Sequence, residues 1–534
     1  MIKNITKNLI AVSFTAMIML GTFSCLDDLD RFPTNDITSK EVYKSLAGHK
    51  SVMAKVYGAY AMTGNSENLA EADIVLGDGS SPDFLRTFFN LQSLTTEEAI
   101  NGWTDNGITD LNFNTWSASN ANIQGLYIRS MYQITVANEY LRESTDSKLA
   151  EYGISDANDI KEIQYFRAEA RFIRAFQYWV LMDLFGNPPF VDENSPVGKF
   201  LPPQIKRADL FNYIESELLD IETKLKDAKQ NEYGRADKAA CWSLLARMYL
   251  NAKVYTGVEK YTQAATFSKK VIGSGYSLKP SYEELFLADN HLNNPEVILS
   301  INYDGQKTKG YGGMTFLINS SFKPTREDIS GVNYQTYYGM GGQGGWFGNR
   351  TRPQLYQRFT NNDGRKLFIG TKADVDEIAR FEDGMSIHKF RNVTSTGEVG
   401  SNFYEFFADT DFPLFRLAEM YLIYGEAVLR GGEGSTTDAQ TYLNKIRERA
   451  FGNTTNNIPL TLDNILDERS RELYWECFRR TDLVRYDLYT SSAHLWQWKG
   501  GVKEGIGLPS YMNLFPIPAP DLIANPNLKQ NTGY

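Results

Sequence analysis

The chain has 534 residues, 42% of them apolar and 13% aromatic, so it is long enough to bury a sizeable core in one large scaffold or in two or three domains. Its formal net charge of -10 at pH 7 repels phosphate backbones, and it has no basic run or basic amphipathic helix, so nucleic acid and anionic lipid headgroups are poor partners. Polar, mostly neutral ligands fit better, since the 31 Tyr, 31 Phe and 8 Trp side chains can stack on sugar faces as readily as they pack in a core.

The first 24 residues have the pattern of a secretory signal peptide. A lysine-bearing start precedes an apolar run from Leu9 to Leu20, which is too short to span a bilayer. Small residues then lead to Cys25, an arrangement that resembles a bacterial lipobox, in which cleavage before the cysteine is followed by acylation. We therefore expect a mature chain that begins at Cys25 and is lipid-anchored there. An ordinary secretory signal is the alternative, because Thr22 stands where a lipobox usually carries an aliphatic residue.

Helical patterns dominate the mature chain. Apolar residues recur at steps of three and four from Ile163 to Leu184, which draws one stripe down a long helix that ends at Gly186. A second stripe runs from Leu414 to Val428, closes at Gly431-Gly432 and precedes a partner helix around Ala439–Ile446. Helix, glycine turn, helix is thus the repeating unit. Further helices are predicted at Leu126 to Glu143, Ala208 to Lys226, Tyr261 to Ile272 and Leu462 to Tyr486.

Two segments, one of them in the second stripe, share a spacing typical of the first helix of a tetratricopeptide repeat. Leu245-Ala246 is followed by Tyr249, and Leu417-Ala418 is followed by Tyr421. The interval between them is not a multiple of the repeat length, so we predict degenerate repeats separated by insertions.

One long segment has little sustained periodicity. Residues from about 302 to 412 are rich in Gly, Asn, Thr and aromatics, and strand patterns are short, as at Glu296–Ile301 and Met385–Phe390. We predict a mainly α fold, with a helix-hairpin scaffold over 36–300 and 411–490 and a loop-rich, partly β insertion over about 302–412. Such insertions on a rigid scaffold commonly carry function.

The sequence lacks the motifs of common enzymes and metal sites. Its four histidines, His49, His291, His388 and His494, are scattered without metal-ligand spacing, and there is no nucleophile elbow or phosphate-binding loop. The run Asp289–Glu296 has oxygen ligands suited to calcium, but it misses the EF-hand spacing and reads better as a solvated turn. We expect no enzymatic activity, no cofactor and no metal site.

Two cysteines besides Cys25 lie inside apolar helical patterns. Cys241 and Cys477 are expected to be small buried hydrophobes, and their spacing alone does not decide whether they form a disulfide. The charged run Asp467–Arg485 has acids and arginines three and four residues apart, which favours ladders and caps that attach the last helix to the scaffold rather than an active site.

Three segments together resemble the SusD/RagB family. They are Arg167–Ala175 continuing to Gly186, the run Asp467–Arg485, and the ending Asn525–Asn531. The resemblance covers the whole mature chain and implies an α-rich scaffold of tetratricopeptide-like helix pairs with a loop-rich ligand face. It also implies a cell-surface lipoprotein of the outer membrane that binds a glycan or peptide and delivers it to a SusC-like TonB-dependent transporter. Cys477 departs from the family, which often has Gly at this position.

The scaffold is most similar to that of the starch-binding members of the family, on the segments Gly234–Ala240, Tyr249–Gly257, Glu284–Asn290 and Trp498–Gly501. Flat aromatic faces stack on pyranose rings, planar polar groups bind hydroxyl pairs, and a helical α-glucan requires the aromatics to form an arc. The resemblance implies three stacking aromatics, with hydroxyl-binding Asp, Arg and Asn beside the first. These carbohydrate-binding residues are Asp78, Arg86, Trp103, Asn106, Tyr311 and Trp346.

Each assignment has a structural alternative. Trp103 could be a core tryptophan, Trp346 a loop anchor whose neighbouring glycines permit a tight path, and Arg86 with Asp78 a structural ion pair. At the level of function, we predict a binder of starch or maltooligosaccharide. The alternatives are a binder of a different polysaccharide, and a repeat adaptor that binds the transporter but no glycan.

Overall fold

The computed structural model describes residues 39–64, 72–74, 76 and 82–534, so Cys25, the signal peptide and Asp78 lie outside the described residues. The α-helices are α1 Ser39–Val42, α2 Leu46–Gly58, α3 Phe84–Phe89, α4 Ile108–Phe113, α5 Ala121–Glu143, α6 Asp146–Glu151, α7 Ala157–Phe185, α8 Arg207–Ile221, α9 Lys238–Leu250, α10 Ala252–Thr256, α11 Tyr261–Ile272, α12 Gly313–Asn319, α13 Tyr334–Tyr338, α14 Pro353–Tyr356, α15 Leu417–Leu429, α16 Thr436–Phe451, α17 Leu462–Leu473, α18 Arg479–Arg485 and α19 Ala519–Ala524.

The remaining regular structure is short. A π-helical segment lies at Asn90–Leu94, and 3-10 segments lie at Glu283–Phe286, Lys499–Gly501 and Ser510–Asn513. The strands are β1 Ile100–Asn101, β2 Val297–Ile301, β3 Asn349–Arg350, β4 Phe368–Ile369, β5 Ser386–Ile387 and β6 Phe412–Arg416. They form three antiparallel pairs, β1 with β3, β2 with β6 and β4 with β5.

The helices form a scaffold of successive pairs, as the periodic stripes predict. Helix α7 packs against α5 and α8, α11 packs against α9 and α15, and α15 also packs against α16 and α17. The repeat-like Tyr249 and Tyr421 are both buried in this core. The prediction of a mainly α, tetratricopeptide-like scaffold is confirmed.

Strands β2 and β6 form the base of the predicted insertion. They pair antiparallel, with Ile301 opposite Phe412, so the chain leaves the scaffold after β2 and returns through β6. The predicted helical stripe from Leu414 therefore begins too early. Leu414 lies in β6, where every residue is buried, and helix α15 starts only at Leu417.

The helix predicted over Leu462 to Tyr486 is wrong, because the structure has two helices there. Helix α17 ends at Leu473, α18 starts at Arg479, and Trp475 and Cys477 between them have φ values of 63° and 66°. Buried cationic side chains bind backbone carbonyls at this break. Arg416 donates to the Glu472 carbonyl at 2.7 Å, and Lys389 donates to the Tyr474 carbonyl at 2.6 Å. Left-handed backbone at Cys477 is a conformation that glycine adopts without strain.

Cys241 and Cys477 are buried, as expected, and they are free, which the sequence left open. The Cys241 thiol contacts the Leu218 carbonyl at 3.3 Å, and burial raises the pKa of the thiol. Among the residues that the structure describes, none of the helices combines the length and the apolar character needed to cross a bilayer.

Buried ion pairs join the scaffold to the insertion at Glu472. Its carboxylate is bound by Arg365 of the insertion at 3.1 Å, by Arg416 at the end of β6 at 2.5 Å, and by Arg449 of α16. Burial opposes ionisation of this carboxyl, but the three guanidiniums outweigh it and hold the pKa of Glu472 below its usual range. The charged run thus attaches α17 mainly through distant partners rather than through pairs three or four residues apart.

Two neighbouring acids after the π-helical segment have opposite environments. Glu97 is bound by Arg479, whose Nε lies 2.7 Å from Oε1, and the pKa of Glu97 is well below its usual range. Glu98 accepts hydrogen bonds from Ser93 Oγ at 2.8 Å and Trp475 N at 3.3 Å, and burial raises its pKa to about 8. Glu98 therefore keeps its proton to a higher pH in the folded protein than in the unfolded chain.

We expect Glu472→Gln to lower the free energy of unfolding by about 3–5 kcal/mol, because it removes the charge that three buried guanidiniums share. Urea denaturation measures this loss. The matched control is Lys253→Ala, which breaks the exposed Lys253–Glu259 pair and should cost less than about 1 kcal/mol. Equal losses in the two variants would show that the buried pairs do not hold the fold together.

Glu98→Gln should flatten the pH dependence of stability. Between the unfolded pKa near 4.5 and the folded value near 8, the folded protein holds a proton that the unfolded chain has lost. The free energy of unfolding contributed by Glu98 therefore falls as pH rises, by up to about 1.4 kcal/mol per pH unit. Relative to wild type, the variant should gain stability between pH 5 and pH 8 in urea titrations. A difference between the two proteins that does not change with pH would contradict the raised pKa.

Candidate functional site

Helix α12 lies under a group of aromatic side chains that come from three separate loops. Tyr311 precedes this helix, Phe316 lies in its middle, and Asn319 ends it. Phe316 is fully buried, while Tyr311 is half-exposed. The short helix therefore supports the surface that the resemblance indicates as the ligand face.

Trp103 and Trp346 are brought together by the β1–β3 pair. Asn101 is opposite Asn349, and the Gly102 N–H donates to the Gly348 carbonyl at 3.0 Å, so the two loops run side by side. The Trp103 Nε1–H then donates to the Trp346 carbonyl at 3.0 Å. A Cβ at Gly348 would lie 2.4 Å from the Trp103 ring, so this close approach requires glycine.

Trp103 is neither a core tryptophan nor a fully exposed one. It is half-buried, and one side of its ring packs on Phe316 with the centroids 5.9 Å apart and the planes at 62°. Its backbone N–H donates to the side chain of Asn101 at 2.7 Å. The ring is thus held in one position with part of its surface open to solvent.

The Tyr311 loop is fixed by a buried carboxylate. Asp83 caps helix α3 through the Arg86 N–H at 2.8 Å and also accepts from the Gly313 N–H at 2.8 Å. Burial raises the pKa of Asp83, although these two backbone donors oppose the shift. A Cβ at Gly312 would lie 2.2 Å from Asp83 Cγ, and Gly313 has a φ of 53°, so both glycines are needed for the loop to reach α3.

Tyr311, Trp346 and Phe406 form one cluster of rings. The Tyr311 centroid lies 6.3 Å from that of Trp346 and 6.5 Å from that of Phe406, and Trp346 and Phe406 are 6.1 Å apart. The planes of Tyr311 and Trp346 are inclined by 58°. The accessible faces of the cluster therefore point in different directions rather than forming one flat surface.

Buried Asn319 ties the loops of this cluster to the end of α12. Its carbonyl accepts from the Trp346 N–H at 2.6 Å, and its side-chain oxygen accepts from the Gly345 N–H at 3.0 Å. Its amide nitrogen donates to the Phe406 carbonyl at 3.2 Å. Trp346 therefore anchors its loop, which is the structural alternative given for it in the sequence analysis. Its ring is also a member of the aromatic cluster.

Arg86 lies between the two halves of the site. Its guanidinium carbon is 4.8 Å from the Phe316 centroid and 5.6 Å from that of Trp103, and Nη1 donates to the Tyr311 carbonyl at 3.4 Å. Nη2 lies 3.7 Å from Asp105, an acid that is more than half exposed. An ion pair of Arg86 with Asp78 stays a prediction, because Asp78 is outside the described residues.

Asn106 lies on the exposed turn that follows Trp103. Its backbone carbonyl accepts from the Asn122 amide at 3.3 Å, which fixes the turn to the start of α5. Of the six predicted residues, the structure thus brings Arg86, Trp103, Tyr311 and Trp346 into one group, with Asn106 on the adjoining turn.

The sequence analysis missed Phe406, Phe316, Asn319 and Asp83. Phe406 has a φ of 57°, which is unusual for a bulky residue, and it lies in the aromatic run Phe403–Phe407. That run within a loop-rich segment was the one sequence signal available. Asn319 and Asp83 hold the loops through hydrogen bonds to backbone groups, and no residue spacing in the sequence indicates such hydrogen bonds.

A cavity of about 300 Å³ is lined by residues other than those of the aromatic cluster. It is lined mostly by apolar surface between α2, α7 and β2, including Met53, Tyr60, Phe166 and Ile301. None of the six predicted residues lines it. The aromatic cluster rather than this cavity is therefore the candidate site.

The oxygens of the run Asp289–Glu296 are used within the protein. Asp289 accepts from the Ser395 N–H and hydroxyl, and Glu296 pairs with Arg416 and Arg449. Across the described part of the chain, no three His, Cys, Asp or Glu side chains are grouped so that they could hold a metal ion.

Comparisons with known proteins point to one family. The model of the SusD family matches residues 332–534. The chain is 35% identical to the starch-binding protein SusD of Bacteroides thetaiotaomicron over 582 aligned positions, which cover 99% of each chain.

Solved structures with low sequence identity share the fold. A SusD superfamily protein from Bacteroides vulgatus is 20% identical, with 92% of this chain and 99% of that chain covered and a TM-score of 0.69. Surface glycan-binding protein A from Bacteroides thetaiotaomicron, solved in complex with laminarihexaose, is 21% identical, with 90% and 98% covered and a TM-score of 0.67.

Proposed function

This chain belongs to the SusD family, and from that premise we propose that it is a cell-surface binding protein for an α-glucan such as starch or maltooligosaccharide. In this proposal it delivers the glucan to a SusC-like TonB-dependent transporter in the outer membrane. The observation that carries the proposal is the cluster of Tyr311, Trp346 and Phe406 next to Trp103, with Arg86 between the two groups.

The cluster supports binding of a curved, neutral chain. Aromatic faces stack on the apolar faces of pyranose rings, and the 58° between Tyr311 and Trp346 suits a ligand whose successive sugar faces turn. Arg86 and the exposed Asn106 are donors that can bind hydroxyl pairs at the sugar edge. The rings are held in place before the ligand arrives, so binding costs little ordering of side chains.

The choice of α-glucan rests on the relative that is named for starch. This chain shares 35% identity with that protein along its whole length. The structural neighbour solved with laminarihexaose shows that the same fold can hold a different glucan. A family member for another polysaccharide is therefore the first alternative, and linkage preference decides between the two.

We further propose that the site binds its ligand without cleaving it. Glycoside hydrolysis needs a pair of carboxyl groups set across the scissile bond. Of the carboxylates at the described site, buried Asp83 is turned toward two backbone N–H groups, and Asp105 faces Arg86. Incubation of starch with the protein should release no reducing sugar.

Attachment at Cys25 completes the proposal. The multiple acyl chains of a bacterial lipoprotein would hold the protein durably at the membrane surface, since a single chain binds only marginally. The acidic residues that follow Cys25 would serve as a solvated tether. A Cys25→Ala protein that stays attached to outer membranes would place the anchor elsewhere.

Trp103→Ala should reduce starch binding at least about tenfold, because it removes one stacking face and the hydrogen bond that positions Trp346. Retardation on native gels that contain amylopectin measures the effect. The matched control is Trp242→Ala, which removes a half-buried tryptophan of helix α9 whose Nε1–H donates to Glu222. Unchanged retardation of the Trp103 variant would contradict the site.

A glycan array distinguishes the proposal from its alternatives. We expect the Cys25→Ala chain to bind α-linked glucans in preference to β-linked ones. Binding only to other polysaccharides would assign the protein a different ligand. Binding to none, together with capture of the transporter, would make it the repeat adaptor.

A further inference from the structure

We propose that Phe347 and Tyr404 extend the aromatic cluster at two opposite ends and make the site selective for long glucan chains. This inference rests on the proposed function and adds two ligand-contacting residues to it. A short oligosaccharide would occupy the central rings alone, whereas a long chain would also reach the two outer rings.

The first observation is where the exposed aromatics lie. Among the described residues, the large aromatic side chains that are most open to solvent are Tyr404 at 83%, Phe347 at 50% and Tyr311 at 49%. All three lie in the loop-rich insertion over about 302–412, which also carries Trp346 and Phe406 of the cluster. Leaving such surface in water forgoes the hydrophobic stabilisation that burial would give, so a cluster of exposed rings marks an interaction surface.

Tyr404 is presented by a loop with fixed geometry. Asn402 and Phe407 form an antiparallel bridge across its base, and the Gly341 N–H donates to the Phe403 carbonyl at 2.9 Å. A Cβ at Gly342 would lie 2.1 Å from the Tyr404 carbonyl, so the glycine-rich loop packs directly on this turn. The exposure of the Tyr404 ring is therefore a property of a packed loop.

Phe347 is held in an unfavourable backbone conformation. Its φ is 45°, and its N–H donates to the Phe322 carbonyl at 3.0 Å. Its ring contacts Phe381 edge-on at 6.4 Å but stays half-exposed. Bulky residues rarely adopt this backbone region, and such strain concentrates at ligand-binding sites.

The two residues lie at opposite ends of the cluster. Phe347 precedes Gly348, where an added Cβ would lie 2.4 Å from the Trp103 ring, so Phe347 belongs to the Trp103 end. Tyr404 is two residues from Phe406, whose ring stacks on Tyr311 at 25°, so Tyr404 belongs to the Tyr311 end. The rings of Trp346, Tyr311 and Phe406 lie within 6.5 Å of one another, and the chain places Phe347 directly after Trp346 and Tyr404 two residues before Phe406.

The surroundings of the outer rings also suit a neutral polymer. Glu405, next to Tyr404, is paired with Lys309 at 2.6 Å, so this end presents no unbalanced charge from that acid. A ligand that reaches Tyr404 therefore meets an aromatic face and a neutralised ion pair. Stacking tolerates sugar identity, so the outer rings would add affinity for chain length rather than for one particular sugar.

The test compares short and long ligands on single variants. In titration calorimetry, Phe347→Ala and Tyr404→Ala should each weaken binding of maltoheptaose and amylopectin roughly three- to tenfold, the value of one aromatic contact. Binding of maltotriose should stay within twofold of wild type. Phe347→Tyr and Tyr404→Phe keep the ring, and both should bind the long chains as wild type does.

Each contrary result has a distinct meaning. Loss of affinity by the same factor for maltotriose and maltoheptaose, or no loss for either, would overturn the extension while leaving the central site in place. A loss in Tyr404→Phe as large as in Tyr404→Ala would overturn stacking as its cause. Wild-type protein that binds none of the three ligands would overturn the proposed α-glucan function itself. Thermal unfolding at the wild-type temperature confirms that the variants are folded.

Discussion

The buried carboxylate of Glu472 is the point at which the scaffold and the ligand face are joined. It binds Arg449 from helix α16, Arg416 from strand β6 and Arg365 from the insertion. Arg416 also binds Glu296 and Glu476, and Lys389 of the insertion binds Glu476. Each of these charges is costly to bury alone, so the arrangement is stable only when all of its members are in place. The insertion therefore cannot shift as a unit without leaving charges unpaired in the core.

On top of this junction, the site is positioned by hydrogen bonds to backbone groups. Asn319 holds the Trp346 loop and Phe406 at the end of α12, and Asp83, most of whose contacts are to backbone, holds the Tyr311 loop at its start. Loops without regular structure must satisfy their backbone groups in this way when they pack closely. These hydrogen bonds do not involve the flat faces of the rings. The loops are consequently rigid where they meet the core and aromatic where they meet solvent.

The sequence predicts the scaffold well because its signal is local. The predicted bounds of helix α11 match the structure at both ends, and those of α7 lie within six residues of the observed ends. Both signals, periodic apolar residues and a glycine at the helix C-terminus, depend on neighbouring positions. The break after Leu473 could not be predicted, because apolar and charged spacing continues across it while distant Lys389 and Arg416 take the carbonyls. The aromatic residues of the site followed from the resemblance. Phe406 did not, because only tertiary packing brings it to Tyr311.

Charge and apolar surface are distributed in an unusual way, and this bears on the kind of ligand. Many of the largest fully buried side chains are arginines, such as Arg350, Arg365 and Arg416, whereas the ligand face exposes Tyr311, Phe347 and Tyr404. Buried arginines fix the geometry of the loops, but they cannot reach a ligand at the surface. In the proposed site, recognition rests on rings, whose stacking depends on the shape of a sugar face rather than on charge, and on the donors Arg86 and Asn106. A protein built in this way suits a neutral polymer, which offers many weak and similar contacts, better than a charged ligand that could be held by one ion pair.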